Sequence, residues 1–154
     1  MPLFLYLISD SVSMSRLAVE FLDQGLHRVL FNAMPMPVFL VDNDVSILDY
    51  NTAAAVLLKK EKKEIVGQRG GAVLDCSHAH ESALGCGHAA ACVDCVVRNS
   101  VRAASENHAV SRQAAQMDLV RRGKQTRVDI RVSCQPVSYG RQSYYLLVLE
   151  GLND

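Results

Sequence analysis

The sequence lacks a surplus of either charge. Sixteen Lys and Arg balance sixteen Asp and Glu over 154 residues. A chain that holds nucleic acid across its surface normally carries a basic excess, so that class is disfavoured. Aromatic residues are scarce, at 6%. The one basic stretch, Arg98 to Arg131, contains no aromatic side chain on which a base could stack, and it reads as the solvent face of a sheet. Long apolar runs are missing too. Met1 to Ile8 is too short to span a bilayer, no Lys or Arg precedes it, and no small-residue cleavage pattern follows it. These absences predict a cytoplasmic protein, with neither a membrane nor nucleic acid among its partners. Familiar catalytic signatures are also absent: no Ser/His/Asp arrangement, no G-x-G-x-x-G and no P-loop. Gly70-Gly71 runs into Ala-Val, a turn and not a phosphate cradle. No base and orienting group are nominated for any nucleophile, so the chain is expected not to be an enzyme.

What is present is enough for a folded domain. Hydrophobic residues make up 49% and charged residues 21%, and a chain near this length buries roughly two thirds of its unfolded surface. Residues 11–31 have helical spacing of Leu17, Phe21, Leu22, Leu26, Val29 and Leu30, with Ser13 or Ser15 as cap and Pro35 as the stop. Residues 1–32 are therefore assigned to a tail and flanking helix, and 33–154 to the main domain. Pro37 to Val41 and Val45 to Tyr50 surround an Asp/Asn cluster and read as a β-hairpin. Asn51 is placed to cap a short helix through Lys59. Lys59 to Glu64 reads as a solvated turn and helix start, and Gly67 to Gly71 as a loop. A helix is expected from about Cys92 to Glu106. Val128, Ile130, Val132 and Cys134 alternate with polar residues, as in a half-buried antiparallel strand. Arg121 to Lys124 and Val137 to Gln142 are read as the turns on either side of it, and Ser143 to Glu150 as a last buried strand. The sum is an α+β domain: a five-stranded antiparallel sheet, short helices on one face and an N-terminal helix.

Cysteine is the informative residue. There are five, an odd number that does not suggest a disulfide framework. Four of them, Cys76, Cys86, Cys92 and Cys95, fall in one short segment with His78, His80 and His88, at the spacing C-x9-C-x5-C-x2-C. Free cysteines are often small core hydrophobes, but four among glycines and polar residues fit that poorly. A C-x2-C pair with two further cysteines suits a soft or borderline metal: zinc, or iron in an iron–sulfur cluster. His78, His80 or His88 could replace one cysteine at a zinc site. A thiol–disulfide switch is a further option. Covalent haem attachment is disfavoured because Val96, not His, follows Cys95. Cys134 lies on the apolar face of its strand and is read as core or pocket lining, not a ligand; His27 and His108 are read as surface.

The segments Met36-Pro-Val-Phe-Leu-Val-Asp42, Ile47-Leu-Asp-Tyr-Asn51-Thr-Ala-Ala and Tyr145-Leu-Leu-Val-Leu-Glu150 resemble those of PAS domains. The resemblance covers roughly Leu30 to Asp154. Within it, Cys76, Cys86-Gly87, Cys92 and Cys95 resemble a cysteine-bearing bacterial subgroup, whose C-x2-C lies on the helix bordering the ligand pocket. The resemblance implies a signal-sensing module. With the four cysteines it leads to three expectations: a redox- or gas-sensing metal centre, foremost iron–sulfur; a structural zinc in an interaction domain; or a thiol–disulfide switch. The apolar stripe of the N-terminal helix suits either packing on its own domain or a homodimer. A PAS domain normally acts on an output domain, and no kinase, cyclase or helix-turn-helix pattern follows residue 150. The expectation is output to a signalling partner in trans, through a homo- or hetero-oligomer, or a chain that is a fragment of a larger sensor.

Overall fold

The computed structural model describes residues 25–152. Residues 25–33 form helix α1, the end of the helix expected over 11–31; its Ser caps and first turns lie outside the described residues. Leu26, Val29 and Leu30 are exposed on it. The residues from Met34 onward form a separate compact unit. No helix among the described residues is long and apolar enough to cross a membrane.

That unit is built on a five-stranded antiparallel sheet in the order β2-β1-β5-β4-β3. The strands are β1 (Val38–Val41), β2 (Ile47–Tyr50), β3 (Val110–Arg121), β4 (Lys124–Tyr139) and β5 (Gln142–Glu150). Between β2 and β3 come α2 (Thr52–Leu58), α3 (Lys62–Ile65), α4 (Gly70–Val73), two 3₁₀ turns (Ser77–His80 and Ala90–Asp94) and α5 (Val96–Ser105). The alternation read from β4 holds: Ile130, Val132 and Cys134 are buried, and Val132 and Cys134 pair with Leu149 and Leu147 of β5. The Val97, Val101 and Ala104 face of α5 is buried in the same core.

Asn51 joins hairpin to helix, as expected and more. Its Oδ1 accepts from Ala54 N at 3.0 Å as the α2 cap, and also from Val38 N at 3.0 Å; its amide donates to Met36 O at 2.9 Å. Three expectations are revised. The loop expected at Gly67 to Gly71 contains the one-turn helix α4, whose Gly70 N–H bonds Val45 O at 2.9 Å. The turn at Val137 to Gln142 narrows to Gly140-Arg141, because the ladder runs on to Tyr139 paired with Gln142. Helix α5 begins at Val96, not near Cys92, because Cys95 is extended (ψ 114°) and serves as its N-cap.

Candidate functional site

The four clustered cysteines come from four places along the segment between α4 and α5. Cys76 precedes the first 3₁₀ turn and bridges to Leu119 of β3. Cys86 lies in the loop between the two 3₁₀ turns. Cys92 sits in the second turn and Cys95 at the start of α5. All four are half-buried and line one cavity of about 140 Å³, whose apolar wall includes Val45, Leu74, Val97, Met117 and Ile130. Cys134 is fully buried in the sheet core, and burial pushes its thiol up to about 11. Sequence spacing thus separates the four from the fifth correctly.

The nearby backbone favours the thiolate form of two of these sulfurs: the His78 and Ala79 amides act on Cys76, and the Gly71 amide on Cys86. Such donors favour a thiolate, and they are the kind that tune metal-bound sulfur. Burial is the larger influence on both, so both thiols are raised from their ordinary value. A cation among them would reverse that balance, since a coordinating thiol is deprotonated outright. The positive end of the α5 dipole lies at Cys95, where it would favour a negatively charged thiolate centre. Gly71 is the cradle: a Cβ there would stand 2.6 Å from Cys86 Sγ and 3.5 Å from Cys76 Cβ.

The histidines divide. His78 lines the cavity, with Nδ1 2.7 Å from Glu81 Oε1 and Nε2 3.8 Å from Asp118 Oδ2. His80 is exposed. His88 is exposed, and its Nε2 lies 3.1 Å from Arg69 Nη1. Among the described residues, no three of His, Cys, Asp and Glu are grouped closely enough to hold one metal ion. The donor set is gathered around a cavity and is not closed on a single point.

Residues 25–91 match a family model described as PAS domain. The fold matches the PAS domain of nitrogen regulation protein NR(II) from Vibrio parahaemolyticus, with TM-score 0.54 and 19% identity, over 82% of this chain and 97% of that one. The chain has the fold of a PAS domain. A domain of the sensory box sensor histidine kinase/response regulator from Geobacter sulfurreducens is similar too: TM-score 0.52, 19% identity, 83% and 94% covered. So is a chain of the E. coli DhaR(N)-DhaL complex, with TM-score 0.50 and 14% identity over 90% of this chain. This chain spans 39% of that longer one. No curated protein matches significantly in sequence. At these identities the likeness is one of fold, and function rests on the site.

In this PAS domain the cysteine loop is gripped by residues that sequence reading did not single out. Arg69 donates to Asp44 Oδ2 through Nε (2.8 Å) and Nη2 (2.6 Å), and through Nη1 to Cys86 O (3.2 Å). Arg98 Nη2 donates to Asp44 Oδ1 at 3.1 Å. Burial alone would raise the Asp44 carboxyl, but the Arg69 and Arg98 hydrogen bonds and charges together hold it below its ordinary value. Arg98 had a signal in the sequence, being three residues after Cys95 and so on the same side of α5. Asp44 and Arg69 had none, since a pair 25 positions apart leaves no local pattern. Within the basic stretch Arg127 bonds Asp118, and Arg112 reaches outside it to bond Glu150.

Proposed function

We propose that this PAS domain is a non-enzymatic, cytoplasmic sensor whose input site is the four-cysteine cavity, and that Cys76, Cys86, Cys92 and Cys95 hold an iron–sulfur cluster there. The observation that carries the reading is the convergence of four thiols on one cavity, with Cys134 kept apart. The backbone amides that favour the thiolate form of Cys76 and Cys86 support it. A 4Fe–4S cluster takes one cysteine sulfur on each iron and a 2Fe–2S cluster two, so a cluster accepts thiols spread more widely around a cavity than a single ion does. One zinc would draw four sulfurs to within about 3.8 Å of one another, from a bond length near 2.3 Å. When bound, the cluster would supply sensitivity to oxidants or to small gases.

This chain's own residues do the rest. Cys76 ties the site to β3, Cys95 to α5 and Cys86 to the β1–β2 turn, so a change in thiol ligation reaches the sheet through three elements. The solved relatives include sensor proteins and one complex, in keeping with output through a partner. The exposed Leu26, Val29 and Leu30 share one face of α1 and suit a second copy of this helix.

Anaerobic purification of the full chain, with spectrum, metal analysis and light scattering on one sample, tests the reading. A brown protein with iron and sulfide, bleaching in air and of dimer mass, is expected. Cys92→Ala and Cys95→Ala should lose the iron, and Cys134→Ala should keep it. Equal iron in all three variants overturns the site. A colourless protein with stoichiometric zinc replaces the sensor with a structural staple, and thiols without metal leave the disulfide switch.

A further inference from the structure

The β1–β2 turn and the cysteine cavity share a wall. Asp42 Oδ1 accepts from Asp44 N and Ser46 N, both at 2.9 Å, which folds residues 42–46 into a tight turn. Val45 at its end is 2% exposed, lines the cavity and has φ 63°. A β-branched residue in the left-handed region persists only where its surroundings hold it. What holds it is on both sides. Gly70 N donates to Val45 O at 2.9 Å, and Arg98 Nη1 to Asp44 O at 3.4 Å. The Asp44 carboxylate is shared between Arg69 and Arg98. Arg69 extends from there to Cys86 O. The Arg98 guanidinium lies over Gly87, where φ is +94° and a Cβ would meet Nη1 at 2.5 Å. One carboxylate therefore connects a strained turn, a cavity wall and the backbone on both sides of Cys86.

We infer that Asp44 is the positioning residue of the cysteine site: through Arg69 and Arg98 it sets the Cys86 loop, and the turn over residues 42–46 reads the state of the thiols. This rests on the cysteine cavity being the input site, but not on which metal fills it. Coupling of this kind is reciprocal. If the turn restrains Cys86, then whatever engages Cys86 restrains or releases the turn by the same factor. The element with two arrangements is the 42–46 turn, whose left-handed Val45 can relax once the grip is lost.

Two readouts on the full chain test it. In metal-free protein, alkylation by iodoacetamide is followed cysteine by cysteine by peptide mass spectrometry. Asp44→Asn should speed labelling of Cys86 about fivefold or more, the lower end of measured allosteric couplings. Cys134, buried in the sheet, should stay slow, which excludes general loosening. Arg98→Gln should act in the same direction, and Arg98→Lys should recover part of the effect. In the second readout, hydrogen exchange of the 42–46 peptide is compared before and after anaerobic loading with ferrous iron and sulfide. Loading should slow exchange in the wild type and leave Asp44→Asn unchanged. Unchanged Cys86 labelling in both variants overturns the inference, as does equal protection of the turn in wild type and Asp44→Asn. Failure of the wild type to take up iron overturns the cluster reading alone, and the labelling experiment then decides the inference.

Discussion

Asn51 shows how much one buried side chain can hold. It is 1% exposed and satisfies three backbone groups: the α2 N-terminus, the first strand's Val38 N–H and the Met36 carbonyl. Only the first was expected from sequence, because capping is local, whereas Val38 lies 13 residues away. Asn51→Ala removes a cap, which alone costs about 1 kcal/mol. It also leaves a buried strand N–H without a partner, costing about 1–3 kcal/mol more. The expected loss is about 2–4 kcal/mol, read as a lower urea midpoint at unchanged slope. A loss near 1 kcal/mol would mean that the Val38 N–H finds another acceptor.

At the scale of elements, the segment from α4 to α5 is where sequence reading and structure diverge, and the reasons are physical. Gly70-Gly71 has poor helix propensity, yet α4 forms because Gly70 N is paired with Val45 O and because only a glycine leaves room beside Cys86. Ala89 to Ala91 has high helix propensity, yet α5 waits until Val96, because Cys95 is extended at the cavity edge. Tertiary placement of the thiols overrides propensity in both directions. Strand β4 was legible because burial on one face imposes a period of two, and the cysteine grouping because its residues are close in sequence. The arginine grip was not, because Asp44 finds its partners across 25 and 54 residues. In an open helix Gly71→Ala would stabilise by up to about 1 kcal/mol. Here the new Cβ would lie 2.6 Å from Cys86 Sγ and 3.1 Å from Cys86 Cβ. Overpacking of this kind costs about 1–3 kcal/mol, so the variant should be less stable and should hold much less iron after reconstitution. A stabilised variant with full iron content would show that Cys86 moves freely and that Gly71 is no cradle.

For the whole molecule, the strained contacts around the cavity predict how it responds to acid. Two carboxylates flank the cysteine segment: Asp44 at the β1–β2 turn, and Asp118 on β3 opposite Arg127 and near His78. Both are held below the ordinary value of 3.8, Asp118 chiefly by its paired bonds from Arg127, and Asp44 by Arg69 and Arg98 against burial. A carboxylate lowered by folding stabilises the native state fully above its unfolded pKa, and that contribution is lost as pH falls through the folded value. Asp44→Asn should therefore be less stable than the wild type at pH 7, and the gap should close as pH falls from about 5 toward and below the lowered value. The pair is partly exposed, so added salt at pH 7 should narrow the same gap by screening. Urea midpoints of the two proteins, taken across that pH range at low and high salt, check both trends. A gap that ignores pH and salt alike would mean that Asp44 acts through shape.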